Sequence, residues 1–195
     1  MPRWPQWVLT LLPLVGLGQG ALAAWAARAL TPPPWAAALV GLGVLEAGAG
    51  FRPCRGLFRA SGSPLLGAVL AIGTLAVRGW GLATLEEPGR TWALMLAPLL
   101  GRWALVVQCY GRTGAGSVAF TGFAWASVLA LGATQAIGGG VGVLLVLVVG
   151  LATVGARVAV HRHLGGFTRA LLWATDALVE TVVVGTLGLL TQLKT

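Results

Sequence analysis

Long apolar runs fill almost the whole chain, and short breaks rich in glycine, proline and arginine separate them. Crossing the hydrocarbon core of a bilayer takes about 20 apolar residues in a helix, and most of the runs approach that length. Glycine and proline mark each break, as expected where helices end. The pattern predicts seven apolar segments, at 7–30, 34–50, 64–84, 91–110, 118–137, 139–160 and 171–192. Only the glycine run at 138–140 separates the fifth from the sixth.

The composition favours an integral membrane protein over a soluble one. Of 195 residues, 57% are hydrophobic and only 9% are charged, which is too little charge for a water-exposed surface. Backbone in contact with lipid must satisfy its own hydrogen bonds, so helices are expected throughout. The predicted fold is all-α, a polytopic transmembrane bundle of about seven spans, forming a single integral membrane domain over 1–195. The first segment has no evident cleavage site before a soluble region, so we interpret it as a retained helix.

The positive charge lies on the loops between segments. A net charge of +8 could indicate nucleic-acid binding. However, the basic residues are dispersed over short connections, which is the positive-inside pattern, and no nucleic-acid partner is predicted. One side receives eight of them: Arg3, Arg52, Arg55, Arg59, Arg112, Arg157, Arg162 and Arg169. The other side receives Arg28, Arg90 and Lys194. The first side is therefore predicted to be cytoplasmic, in a multi-pass protein of the inner (cytoplasmic) cell membrane.

Tryptophans and glycines agree with this picture. Six tryptophans fall near predicted segment ends, where an aromatic belt is expected: Trp4, Trp7, Trp25, Trp35, Trp80 and Trp92. Small-residue spacings such as Gly16 and Gly20 permit close helix packing. Among thirty glycines such spacings arise by chance, so the oligomeric state stays open.

Charged residues inside apolar segments are candidates for function, because they are costly in a membrane. Arg102 and Glu180 are predicted to lie roughly 15 Å from the same side, at 1.5 Å per residue, and to form an ion pair. Asp176 lies one turn nearer the cytoplasm. The pair could lock two helices together, or Arg102 could line a phosphate site with the acid orienting it. Arg78 is expected to extend toward the outer interface.

Other polar groups carry weaker signals. Glu46 could be a ligand or a base, or it could satisfy a nearby arginine. His161 and His163 form a His-x-His pair, but no cysteine or acid follows nearby, so no metal site is predicted. Cys54 and Cys109 are too few for a disulfide framework and are expected to be free thiols.

Several short motifs, in order and spacing, resemble cobalamin synthase, a family of integral membrane enzymes that attach the lower nucleotide loop of vitamin B12. Ala97-Pro98-Leu99-Leu100-Gly101-Arg102-Trp103 is similar to the family's proline-to-arginine motif. Leu164-Gly165-Gly166-Phe167-Thr168 is similar to its Gly-Gly-x-Thr-Gly-Asp motif. The remaining matches are Leu12–Gly18, the frame of Gly43, Leu45, Gly56, Leu57 and Phe58, and the positions of Ala174 and Glu180.

The resemblance implies a phosphotransferase that joins adenosylcobinamide-GDP to alpha-ribazole or its phosphate and releases GMP. It also implies a magnesium ion held by aspartates. In this chain the three loop aspartates of the family fall at Gly48, Arg52 and Arg55. The family's histidine falls at Glu46, and its Gly-Asp pair falls at Arg169 and Ala170. Arginine binds phosphate bidentately but does not recruit a metal.

Two functions within the family therefore stay open. The chain could be an active ribazoletransferase of cobalamin biosynthesis, or a catalytically silent member that binds a phosphorylated corrinoid or nucleotide or supports a complete synthase. An unrelated small transporter is less favoured, because no inverted halves are visible. The candidate phosphate-binding residues are Arg52, Arg55 and Arg102, and the supporting acids are Glu46, Asp176 and Glu180. No catalytic residue is assigned.

Overall fold

The computed structural model describes residues 6–29, 33–111, 117–164 and 168–193. Within these ranges the protein is an all-α bundle of seven helices without a β-strand. The helices are α1 (Gln6–Ala29), α2 (Pro34–Gly48), α3 (Arg52–Ala60), α4 (Pro64–Thr84), α5 (Gly89–Cys109), α6 (Phe120–Leu164) and α7 (Arg169–Gln192). The predicted fold class is confirmed.

Five of these helices, α1, α4, α5, α6 and α7, are long and apolar enough to cross a membrane. Helices α2 and α3 are bent by 74° relative to each other and together pass the same test, as either a broken span or a re-entrant loop. Many large apolar side chains face outward, among them Trp25, Leu65 and Leu151. In water this surface would be unfavourable, whereas in lipid it matches its surroundings. The chain is a multi-pass membrane protein.

Helix α6 is a hairpin of two helices rather than one rod. Its backbone breaks at Gly139, whose φ of 52° and ψ of −130° lie outside the helical region. A Cβ atom placed on Gly142 would lie 2.5 Å from the carbonyl oxygen of Thr134. In a straight helix these residues would be about 12 Å apart, because each residue adds 1.5 Å. The chain therefore reverses at the glycine run, as the division into fifth and sixth segments predicted.

Helix α5 occupies the centre of the bundle. Most of its residues are buried, including Leu96, Leu99 and Leu100. Its direction is opposite to that of α1, since Gly20 contacts Met95 whereas Gly16 contacts Arg102. It is also antiparallel to the first arm of α6, since the Trp103 indole donates to Ser127 at 3.1 Å whereas a Cβ on Gly138 would lie 3.7 Å from Leu96. The C-terminal half of α5, which contains Arg102 and Trp103, therefore lies beside both α1 and α6.

The Gly16–Gly20 spacing does mediate close packing. A Cβ on Gly16 would overlap the Pro98 carbonyl oxygen, and one on Gly20 would overlap the Leu94 carbonyl oxygen. Gly18, on the opposite side of α1, has nothing within 4 Å of such a Cβ. Glycine at 16 and 20 therefore lets the α1 and α5 backbones approach, as small residues do at membrane helix interfaces.

We expect Gly16→Ala to destabilise the bundle by about 1–3 kcal/mol, because backbone rather than a flexible side chain must move. Gly18→Ala is the matched control on the same helix. It should be neutral or stabilising by up to about 1 kcal/mol, since alanine favours helix. Thermal unfolding in detergent measures both. Equal effects of the two substitutions would contradict the packing described.

Arginines from two of the breaks predicted to share one side meet at one end of the bundle. Arg52, Arg55 and Arg59 of α3 line a cleft together with Arg169 at the start of α7. Arg157 of α6 donates to the carbonyl oxygens of Val107 and Tyr110, both at 2.8 Å, which brings the end of α5 to the same end. The loop at 112–116, with Arg112, lies outside the described residues. We name this end of the bundle the arginine end.

The assignment of the arginine end to the cytoplasm stays a prediction from the charge count. Single cysteines at Ser61 and Ser117, in a background without Cys54 and Cys109, should both react with an impermeant thiol reagent from the cytoplasmic side only. Labelling of the two positions from opposite sides would contradict the seven-pass arrangement.

Candidate functional site

Helix α3 presents its arginines on one face. The chain enters it through two left-handed residues, Gly50 (φ 62°) and Phe51 (φ 53°), which produce the sharp turn from α2. Arg52, Arg55 and Arg59 follow at spacings of three and four residues, which places them on the same side of a helix. The short helix thus directs three guanidinium groups toward α7.

A cleft of about 240 Å³ lies between α3 and the start of α7. The residues that line it are Arg52, Arg55, Gly56, Arg59, Arg169, Ala170 and Trp173. Four of the seven are arginines and none is an acid. The cleft also lies beside the first turn of α7, where the helix dipole favours an anion and the Thr168 hydroxyl accepts the Leu171 N–H at 3.3 Å. The arrangement concentrates positive charge on one concave surface.

No side-chain carboxylate neutralises this cleft. All five acids of the chain lie in the described ranges, and none is within 4.0 Å of a cationic nitrogen of Arg52, Arg55, Arg59 or Arg169. Four of the five acids are paired with other arginines. The charge of the cleft is therefore available to an external anion.

Gly56 allows α3 to approach α7. A Cβ on Gly56 would lie 2.6 Å from the Trp173 Cβ and 2.7 Å from the Ala174 backbone nitrogen. A larger residue would separate the helices and widen the cleft. Gly56 is one of the positions that carry the family resemblance, and its role here is close packing.

Trp173 connects the cleft to the interior. The Arg52 guanidinium carbon lies 5.4 Å from the centroid of the indole ring, and that of Arg102 lies 5.2 Å from it. Both distances are within the range of cation–π attraction. Trp173 thereby holds Arg52 in the cleft and Arg102 in the bundle in a defined relation to each other.

Beneath the cleft lies a buried network of ion pairs. Arg78 of α4 bridges two acids, with Nη2 2.5 Å from Glu46 Oε1 on α2 and Nη1 2.5 Å from Glu180 Oε2 on α7. Its side chain is only 1% exposed. The expectation that Arg78 extends to the outer interface is therefore wrong, because two carboxylates inside the bundle hold it there.

The second half of the network joins Arg102 to Asp176. Gln19 of α1 accepts a 3.3 Å hydrogen bond from Arg102 and donates one of 2.6 Å to the Leu45 carbonyl. The predicted ion pair between Arg102 and Glu180 is wrong. Arg102 pairs with Asp176, and Glu180 pairs with Arg78. Arg102 lies at the same level of the bundle as both acids, but a shared level does not determine which of two acids one turn apart faces the arginine.

The predicted site residues thus divide between two layers. Arg52 and Arg55 line the cleft. Arg102 is not among the lining residues and lies behind the Trp173 ring. All three supporting acids, Glu46, Asp176 and Glu180, belong to the buried network rather than to the cleft.

Sequence reasoning missed four contributors to the cleft and network, Arg59, Arg169, Trp173 and Arg78. The spacing of Arg52, Arg55 and Arg59 was a visible signal for a basic face on α3. The charge count placed this face and the start of α7 on the same side of the membrane, but it did not predict that they line one cleft.

The residues present do not fit a magnesium site. Magnesium requires oxygen ligands in near-octahedral geometry. Among the described residues no group of three His, Cys, Asp or Glu side chains is arranged to hold a metal. Glu46 binds Arg78 and also accepts a hydrogen bond from the Cys54 thiol at 3.3 Å. The carboxylates of the interior are thus already engaged by guanidinium groups.

The opposite end of the bundle carries an exposed ion pair. Arg28 lies 3.2 Å from Glu87, which also accepts a 2.8 Å hydrogen bond from Thr91. Partial burial would raise the pKa of Glu87, but the bonds from Thr91 and Arg28 outweigh it and hold the pKa below its usual value. Exposed pairs of this kind contribute little to stability, which makes Arg28 and Glu87 suitable control positions.

Comparison with protein-family models, with curated protein sequences and with solved structures found no match to this chain.

Proposed function

We propose that this chain is a cobalamin synthase-like protein of the cytoplasmic membrane that binds a phosphorylated nucleotide or corrinoid in the arginine cleft, without the magnesium-dependent transfer of that family. The observation that carries the proposal is the cleft itself, with four arginines and no carboxylate among its lining residues. The link to cobalamin rests on the motif resemblance, and the ligand class rests on the charge of the cleft.

Arginine is suited to this role. Its planar guanidinium stays charged and donates two parallel hydrogen bonds to phosphate oxygens. Arg52, Arg55 and Arg59 approach from one helix and Arg169 from another, so a phosphate between them would be contacted from two sides. Trp173 has cationic groups near its ring. Recognition through phosphate is therefore favoured over stacking of a base on this indole.

The absence of metal-dependent transfer follows from where the acids lie. Phosphoryl transfer depends on positioning and on charge stabilisation, which magnesium and its carboxylate ligands usually supply. Here arginines occupy the cleft, and the nearest acids are bound to Arg78 and Arg102. A silent member that binds ligand, or that supports a complete synthase, fits this distribution better than an active transferase.

The proposal is tested by binding of GDP to the purified protein in nanodiscs of zwitterionic lipid. We expect saturable binding that weakens as salt rises, because exposed charges are screened. Discs with anionic lipid form a second arm, since a lipid headgroup presents the same phosphate chemistry. Binding of GDP in zwitterionic discs supports a soluble ligand. Absence of GDP binding, with anionic lipid retained through purification, would assign the cleft to lipid and contradict the proposal.

Activity separates the two functions of the family. We expect weak or absent ribazole transfer by the purified protein, and no complementation of a strain that lacks cobalamin synthase. Robust magnesium-dependent turnover would contradict a catalytically silent protein and would favour an active ribazoletransferase. Glu46, Asp176 and Glu180 would then have to leave their arginine partners to hold the metal.

A further inference from the structure

The buried network contains more acids than bases. Its members are Glu46, Arg78, Arg102, Asp176 and Glu180, and each is at most 4% exposed. Arginine does not lose its proton inside proteins. With all three carboxyls ionised the network would carry three negative charges against two positive ones, a net charge of −1. An uncompensated charge within a membrane protein is costly.

The groups around the network do not supply the missing positive charge by direct contact. Helix α1 contributes the neutral Gln19, and α3 contributes the Cys54 thiol, which donates to Glu46. Arg52 contacts the Trp173 ring and makes no ion pair with an acid. Helix α6 contains no acid, and its Arg157 donates to backbone carbonyls.

Two of the acids, Asp176 and Glu180, lie against the same residue of α5. Asp176 and Glu180 are four residues apart on α7 and so share a face. A Cβ on Gly101 would lie 2.6 Å from Asp176 Oδ1 and 3.1 Å from Glu180 Cγ, so both side chains lie over the same glycine. Asp176 Oδ2 accepts a hydrogen bond from Arg102, whereas Oδ1 is buried and has no hydrogen-bond partner. A buried acceptor without a donor is unfavourable.

We propose that Asp176 and Glu180 form a proton-binding site within the bundle and hold one proton between them at neutral pH. The proton comes from solvent as the protein folds. It brings the network to neutrality and supplies the O–H donor that Asp176 Oδ1 lacks. Two carboxyl groups that share a site do not both ionise readily, and the proton belongs to the pair rather than to either residue. This inference does not depend on the phosphate-binding proposal.

Infrared spectroscopy of the unmodified protein tests the site directly. In an ester-free detergent at pH 7 we expect the carbonyl-stretch band of a protonated carboxylic acid, which shifts when H₂O is exchanged for D₂O. Glu87 should give no such band, because its pKa lies below the usual value. Absence of the band from the folded protein would overturn the proposal without any substitution.

Amide variants then test whether the proton balances the charge of the network. Asp176→Asn and Glu180→Gln each leave two acids opposite two arginines, so each should abolish the band. Glu46→Gln also leaves two acids opposite two arginines and should abolish the band. It provides a third variant if one of the others fails to fold. Glu87→Gln, in the exposed pair, is the control and should leave the band unchanged. A band that persists in all three network variants would contradict the site.

Discussion

Replacing Arg78 with alanine is expected to have the largest effect on stability of any single substitution in this chain. The change leaves Glu46 and Glu180 without their shared partner in the interior. Removing one partner of a buried pair costs about 3–5 kcal/mol, because the other charge is left uncompensated. We therefore expect Arg78→Ala to lower the unfolding temperature in detergent steeply or to prevent folding.

Two further variants keep this prediction testable. Arg28→Ala removes the exposed pair with Glu87 and should change stability by less than about 1 kcal/mol. Combining Arg78→Met with Glu46→Gln and Glu180→Gln removes the stranded charges together with the arginine and should recover much of the loss. Strict additivity of the three changes would show that the groups are not coupled.

Loss of ligand binding on removal of Arg52 and Arg55 is the second large expected effect. Both residues line the cleft and neither is paired with an acid. A hydrogen bond to a charged group contributes about 1.5–3 kcal/mol, so each substitution to alanine should weaken GDP binding at least about tenfold. The salt dependence should also become shallower.

Matched variants separate recognition from orientation in the membrane. Arg59→Ala and Arg169→Ala should weaken GDP binding as well, because their side chains line the same cleft. Arg28→Ala, at the other end of the bundle, should leave it unchanged. When Arg52 and Arg55 are both replaced, six basic residues remain on the predicted cytoplasmic side against three on the other. The orientation of the protein in the membrane should therefore be unchanged. Unchanged binding in that double variant would show that the two arginines only enforce orientation.

The long apolar helices could be predicted from the sequence because the membrane imposes them. Apolar runs of about 20 residues have few alternatives to a spanning helix. Even the weakest division, between the fifth and sixth segments, is present as the break at Gly139. The nine-residue helix α3, within the arginine-rich break, was not predicted, although arginines at spacings of three and four residues were a visible signal of a helical face.

Pairing inside the bundle was harder to predict than position along it. Arg102, Asp176 and Glu180 lie at similar depth, and partner choice depends on the rotation of α5 and α7 about their axes. Arg78 was expected near the outer end of a span, whereas Glu46 of α2 and Glu180 of α7 hold it inside the bundle. Which acid pairs with which arginine depends on contacts between segments that are far apart in the chain. A single sequence does not show those contacts.

The central claim is that arginines, rather than a carboxylate-held magnesium ion, bind the phosphorylated ligand. The most direct measurement is the affinity of the unmodified protein for GDP, in zwitterionic nanodiscs, with EDTA and then with magnesium. We expect GDP to bind in EDTA. Magnesium should leave the affinity for GDP unchanged or lower it, because the cation neutralises the phosphates that the cleft recognises. Binding that requires magnesium would contradict it.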